Sequence, residues 1–307
     1  MIHTAKFYVI LDSDDIDFIE NKYSEELSLL GYSLSTQSII TCFSYFKNKM
    51  YMHLNIDFIK LLNKSEFSES DLSESLMLIK QFLYKVFNDC SKFDDLVLTR
   101  IDYRVDVKVY KKDREILLYL YKKARDKYGF KVKCDDFDST IYFKNKSIQV
   151  CIYDKEEERK SKGNKIEEYE KSILRLEVRL LNRHLNYSKK KNGIIKCLEN
   201  YFNESTFKDY ISKNINPLIY KGNYYKIDEV RKILEKSNLS NKDYDLVLEV
   251  MKSISNLGVT KAQEKYSYYL FKKTLTLLES LNINPIMIPK NLKDAPSSLK
   301  NPFNSSF

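Results

Sequence analysis

The run Leu98-Thr99-Arg100-Ile101-Asp102-Tyr103-Arg104-Val105-Asp106-Val107-Lys108-Val109 limits the possible folds more than any other stretch of the chain. Successive side chains of a β-strand point to opposite faces. Ile101, Tyr103, Val105, Val107 and Val109 therefore share one face, and Arg100, Asp102, Arg104, Asp106 and Lys108 share the other. Ile173 to Leu181 repeats the pattern, with Arg175, Glu177 and Arg179 opposite Leu174, Leu176, Val178 and Leu180. Strands with one apolar face predict a sheet covered on one side, as antiparallel sheets commonly are. Helix-periodic stretches between the strands make the fold class α+β.

The remaining chain fits that frame. A first strand closes at Val9 to Leu11, and Asp14-Asp15 starts a helix carrying Ile16, Ile19, Tyr23, Leu27 and Leu30, which Gly31 stops. Strands at 33–46 and 50–57 form a hairpin around Lys47-Asn48-Lys49. Helices are expected at 71–87 and 112–128, and strands at 131–135, 138–145 and 147–154. Beyond residue 190 the pattern is helical, at 192–203, 226–237, 240–256 and 260–281. Asn216-Pro217 and Gly222-Asn223 punctuate a boundary near 215. The expected organisation is an α+β domain over 1–215, a helical segment over 216–290, and an extended or disordered tail over 291–307.

A chain of 307 residues can bury a sizeable core, and no apolar run approaches membrane-spanning length. Without a signal-peptide pattern at the N-terminus, a cytoplasmic location is expected. The five cysteines, spread widely with no C-x-x-C, read as reduced thiols and not as a zinc site. A net charge of +9 favours a polyanionic partner such as nucleic acid, although an AT-rich genome would give the same lysine-rich, tryptophan-free composition.

The six glycines are too far apart for a phosphate-cradling loop, and His3, His53 and His184 fall in no H-E-x-x-H or H-x-x-R motif. Serine and cysteine hydrolase signatures are also absent. What remains is Tyr153, on the strand Ile148 to Asp154, with Lys155 two residues further along the same face. A phenol beside a cation is a candidate nucleophile. Most of the 24 tyrosines of such a chain are surface or core-edge residues. His53 and Asn55 on one strand, Asp102 and Asp106 on another and Glu177 on a third form a donor set suited to Mg or Mn, with His53, Asn55, Asp102 and Glu177 the expected ligands. The same carboxylates could instead form a ladder of cross-strand pairs with arginines on a solvated sheet face. Lys160 and Lys162, in the basic segment after Tyr153, and the strand residues Arg100, Arg104, Arg175 and Arg179 are candidate phosphate contacts.

Several of these segments, in order, resemble the gene II/gene X replication initiators of filamentous phage and related plasmids. Met1-Ile2-His3-Thr4 resembles the family's M-I-D start, and Thr99-Arg100-Ile101-Asp102 its S-R-I-D strand. Leu174-Arg175-Leu176-Glu177-Val178-Arg179, followed by Arg183-His184-Leu185, resembles L-V-R-F-E-A-R-I and R-Y-L. Cys151-Ile152-Tyr153-Asp154-Lys155 falls where the family has A-Y-L-K, whose tyrosine is the nucleophile, and the helix around Tyr268 to Leu281 is similar to the family's last. The resemblance implies an antiparallel-sheet nuclease of the HUH, ferredoxin-like type. It implies a rolling-circle initiator that nicks single-stranded or supercoiled origin DNA through a 5′-phosphotyrosine at Tyr153, using a divalent metal and drawing on a host helicase. The family's two histidines separated by one residue are absent; His53-Leu54-Asn55 is nearest by position. A relaxase acting in conjugation would share this chemistry. A non-catalytic DNA-binding regulator would share only the charge, and a host-interaction protein neither.

Overall fold

The computed structural model describes residues 1–129, 131–137 and 139–304. The chain opens with β1 (Ile2–Leu11) and α1 (Ser13–Tyr23). A capping box closes the start of α1: the Asp12 carboxylate accepts from the Asp15 N–H, and the Asp15 carboxylate accepts from the Asp12 N–H, both at 2.9 Å. Ser24, at φ 53°, ends it, so the one helix expected up to Gly31 is two, with α2 at Leu27–Ser33. The expected hairpin is present as β2 (Ile39–Phe46) and β3 (Lys49–Asp57). Lys47 and Asn48 both have positive φ, as a primed two-residue turn requires.

Next come α3 (Phe58–Leu62), α4 (Leu72–Phe87), α5 (Ser91–Asp94) and the charged strand β4 (Val97–Lys108). Then follow α6 (Lys111–Lys122), β5 (Lys127–Tyr128), β6 (Lys131–Phe137), β7 (Thr140–Lys144), β8 (Ile148–Asp154), α7 (Lys155–Ser161) and β9 (Ile173–Leu181). The last part holds α8 (Asn182–Asn192), α9 (Glu204–Ile219), β10 (Tyr224–Tyr225), α10 (Ile227–Glu235), α11 (Asn241–Glu264), α12 (Tyr268–Ser280) and β11 (Ser298–Leu299). The helix expected over 112–128 stops at Lys122, and the Lys123 and Ala124 carbonyls accept the Val259 N–H instead. Residues 193–203, expected to be helical, form no helix, and the unexpected α8 over Asn182–Asn192 precedes them. Gly193, at φ 71°, terminates α8 as a left-handed C-cap.

The chain forms two compact units. Unit 1 comprises Met1–Arg104, Lys146–Ile148 and Glu177–Tyr210, and unit 2 comprises Val105–Asn145, Gln149–Leu176 and Ile211–Phe307. Strands β4 and β9 each give residues to both. Within unit 1 the strand order is β2-β3-β1-β4-β9, and β1 pairs antiparallel with both β3 and β4. Val9, Met52, Leu54, Ile56 and Ile101 are buried on the face that packs on α1 and α3. Phe58, Phe67 and Phe202 form an aromatic cluster behind that face, with centroids 5.6 to 6.2 Å apart.

Within unit 2 the order is β4-β9-β8-β7-β6-β5, with β8 antiparallel to β7 and β7 to β6. The architecture is α+β with antiparallel pairing, as expected. The C-terminal helices have a separate apolar core in which Val230, Leu234, Val247, Met251, Leu278 and Ile283 meet. The tail expected to be extended or disordered is packed through residue 304. Its strand β11 pairs with β10, Phe303 is buried, and the Asn301 amide donates to the carbonyls of Tyr220 and Gly222. Among the described residues no helix is long and apolar enough to cross a membrane.

Candidate active site

Tyr153 occupies the next-to-last position of β8, opposite Thr140 of β7. The following residue turns the strand into a helix. The Asp154 carboxylate accepts from the N–H groups of Glu156 (2.9 Å) and Glu157 (3.2 Å), which caps α7. Its other oxygen accepts from Nε of the fully buried Arg114 at 2.7 Å. Glu156, Glu157 and Glu158 in the first turn of α7, and Arg159 and Lys160 in its last, complement the helix dipole. That arrangement explains why a run of charge folds as a helix although it lacks an apolar stripe.

Lys155 is buried under this junction. Its ammonium lies 6.0 Å from the centre of the Tyr153 ring, 2.9 Å from Glu158 Oε2 and 3.5 Å from Glu170 Oε1. Burial, and then repulsion from the Arg175 guanidinium, hold the Lys155 amine below its usual range. Arg159 clamps Glu170 through Nε (2.8 Å) and Nη2 (2.6 Å), and Arg175 clamps Asp106 across β9 and β4 at 2.7 and 2.8 Å. All these groups belong to unit 2. A phenol, a buried cation and two carboxylates thus meet at the end of one strand. Tyr153 as a whole is only 5% exposed.

The expected metal ligands His53, Asn55, Asp102 and Glu177 lie in unit 1, but they do not converge; Asp106 lies in unit 2, held by Arg175. Asp102 is 2% exposed and takes two hydrogen bonds from Arg100 (2.7 and 2.6 Å) and one from the Thr4 hydroxyl (2.6 Å). Glu177 is 1% exposed and bonds His3 Nδ1 at 3.0 Å and Arg179 Nη2 at 2.6 Å. His53 bonds the Ser44 hydroxyl at 2.7 Å. Strand β1 runs between His53 and Asp102. Thr4 is level with both Asp102 and Asp57, four residues along β3 from His53, a separation on the order of 13 Å along the strand. Asn55 is level with Lys6. Among the described residues no group of three or more His, Cys, Asp and Glu could hold a metal ion. Guanidinium groups already occupy the carboxylates, so this set does not fit a divalent cation. Arg100 pairs with Asp102 and Arg179 with Glu177 along a single strand each, and the cross-strand pairing expected of a ladder is made by Arg175 and Asp106.

The expected phosphate contacts are also engaged within the protein. Arg100, Arg175 and Arg179 grip carboxylates, and Arg104 donates to the Ser65 carbonyl. Lys160 bonds Glu157 at 2.8 Å, and Lys162 bonds Glu158. By contrast Lys6, Lys47 and Lys49 form no ion pair among the described residues. Sequence reasoning also missed His3, the partner of Glu177, and Arg114, the partner of Asp154. His3 had a signal, because it stands where the M-I-D pattern has its carboxylate. Arg114 had none, because the helix around it gives no hint of a strand-end carboxylate.

Residues 63–204 match the family model for the N-terminal part of a replication-associated protein, the gene II protein. That span includes Asp102, Tyr153, Lys155 and Glu177 and excludes His3, His53 and Asn55. No curated protein matches the chain.

Proposed function

With residues 63–204 belonging to the phage rolling-circle replication initiator family, we propose that this chain nicks one strand of origin DNA through Tyr153 and later rejoins it. The observation that carries this reading is Tyr153 at the junction of β8 and α7, within the matched span, with the Lys155 ammonium 6.0 Å from its ring. In the proposed step the Tyr153 oxygen forms a bond to the scissile phosphorus as the P–O3′ bond breaks. The phenolic proton ends on the departing 3′-oxygen, and a 5′-phosphotyrosine remains. One phosphodiester bond replaces another, so rejoining is the reverse reaction and consumes no nucleotide. A chain without a glycine-rich phosphate loop suits such chemistry.

Lys155 acts here as a buried cation that lowers the cost of the phenolate and of charge developing on the phosphoryl oxygens. No step is routed through a metal, because the carboxylates that would hold one are held by Arg100 and Arg179. The nuclease fold in this reading is of the HUH type. The partners are single-stranded or supercoiled origin DNA and a host helicase that opens the duplex after the nick.

The test incubates the protein, with and without MnCl2, with labelled single-stranded oligonucleotides that tile its replicon, and looks for a covalent adduct on a denaturing gel. An adduct with the parental chain that is absent with Tyr153→Phe is the expected result. Cleavage at the parental rate by Tyr153→Phe would sink the nucleophile assignment. The 5% exposure of Tyr153 favours a second reading, a non-catalytic DNA-binding regulator. That reading predicts salt-sensitive DNA binding with no adduct under any condition.

A further inference from the structure

The side of the unit 1 sheet facing away from α1 and α3 carries a line of aromatic rings. Tyr8 on β1 is level with His53 on β3, and Ile10 is level with Tyr51. The Tyr8 and Tyr51 rings meet edge to face with centroids 5.3 Å apart. Tyr51 and His53 lie nearly parallel, at 20° and 6.2 Å. All three side chains are half-buried, so each ring is held by its neighbours while part of it faces solvent. Burial, and then the Lys6 ammonium, keep the His53 imidazole below its usual pKa range.

Cations bracket the line. Lys6 is two residues along β1 from Tyr8, and Lys49 is two residues along β3 from Tyr51. Both are exposed, and neither forms an ion pair among the described residues. The order along the strands is thus cation, ring pair, ring, cation. The step from Tyr51 to His53 is close to that of one nucleotide in a stretched single strand. Sheet faces that combine exposed aromatic rings with unpaired lysines bind single-stranded nucleic acid, because every base has a face to stack and every linkage carries a negative charge.

We propose that this face is a stacking platform for single-stranded DNA, with bases lying on Tyr51, His53 and Tyr8 and the backbone passing Lys6 and Lys49. The choice of DNA as occupant rests on the function proposed above; the platform itself is separate from the Tyr153 junction. Duplex DNA, whose bases are already stacked, has no use for the rings.

The test measures anisotropy of a labelled oligothymidylate with the full chain, against a duplex of the same length. Tyr51→Leu is expected to weaken oligothymidylate binding about ten-fold, the size of one lost base stack, with duplex binding unchanged. Tyr51→Phe, which keeps the ring, is expected to restore most of it. Unchanged oligothymidylate binding by Tyr51→Leu overturns the platform, and so does an equal loss for single strand and duplex. Should Tyr51→Leu fail to fold, the parental chain is photocrosslinked to an iododeoxyuridine oligonucleotide and digested. Adducts on peptides containing Tyr8, Tyr51 or His53 support the platform, and adducts confined to other peptides overturn it. Binding and covalent nicking are separate readouts on the parental chain. Platform crosslinks without a Tyr153 adduct would refute the nicking reading alone, and an adduct without platform crosslinks would refute the platform alone.

Discussion

Arg114 shows how much one buried charge can hold in place. Its Nε donates to Asp154 at 2.7 Å, its Nη1 donates to the Val109 carbonyl at 2.6 Å, and its Nη2 donates to Glu156. Asp154 in turn caps α7 and directly follows Tyr153. Arg114→Ala would leave the Asp154 carboxylate, 2% exposed, without its cation. Removing one partner of such a pair costs about 3–5 kcal/mol, because the remaining charge stays desolvated. Urea unfolding of Arg114→Ala should show a loss of that size. Lys160 and Glu157 also form a pair, but one open to solvent, where screening and side-chain entropy leave it little net effect on stability. A loss for Arg114→Ala no larger than for Lys160→Ala would mean that the guanidinium does not carry the junction.

The C-terminal tail is held by one backbone position that only glycine can occupy. Gly222 has φ +91°, and a Cβ there would lie 2.4 Å from the Ile283 carbonyl carbon and 2.7 Å from the Asn284 nitrogen. The close approach allows the amides of Asn284 and Asn301 to donate to the Tyr220 carbonyl at 2.9 and 3.0 Å, while Asn304 accepts from the Gly222 N–H at 2.9 Å. Gly222→Ala should therefore both strain the backbone and push the 283–284 segment away, a loss larger than about 1 kcal/mol. Hydrogen exchange is the specific readout. The Lys226 and Ile288 amides, bonded to Ser297 and Tyr225, should lose protection before those of β1. Equal protection in variant and parent would refute the tether. The tail could not be read from sequence because its order comes from asparagine side chains meeting distant carbonyls, while its composition is that of a loop. The hairpin at Lys47-Asn48 and the strands β4 and β9 were legible because local alternation and turn chemistry specify them. Helix α7 was not, since its start depends on an Asp154 cap and its stability on charge order. Helix α9 was hidden by an internal Pro217.

Across the whole molecule, the net charge of +9 is a poor guide to where a polyanion would bind, because five of the six cations singled out from sequence, Arg100, Arg175, Arg179, Lys160 and Lys162, are already ion-paired. Sequence patterning identified strands β4, β8 and β9, with Tyr153 near the end of β8. It could not tell that Asp102 and Glu177 face arginines on their own strands, since i and i+2 neighbours on one face can pair with each other or with a ligand. It also passed over Tyr8 and Tyr51, which stand out among 24 tyrosines only when β1 and β3 are paired. The distribution of free and paired cations yields a number. Each phosphate neutralised on a single strand contributes about −0.7 to the slope of log affinity against log salt. If Lys6, Lys47 and Lys49 supply the contacts, oligothymidylate binding should fall with a slope of about −2, and Lys6→Ala should reduce that slope by about 0.7. Exposed pairs such as Lys160 with Glu157 can exchange a carboxylate for a phosphate at little cost, and their recruitment would steepen the slope well beyond that value. A salt titration of the parental chain, Lys6→Ala and Lys160→Ala separates the two cases. A slope that responds to Lys160→Ala and not to Lys6→Ala would move the DNA path from the β1–β3 face of unit 1 to the α7 surface of unit 2.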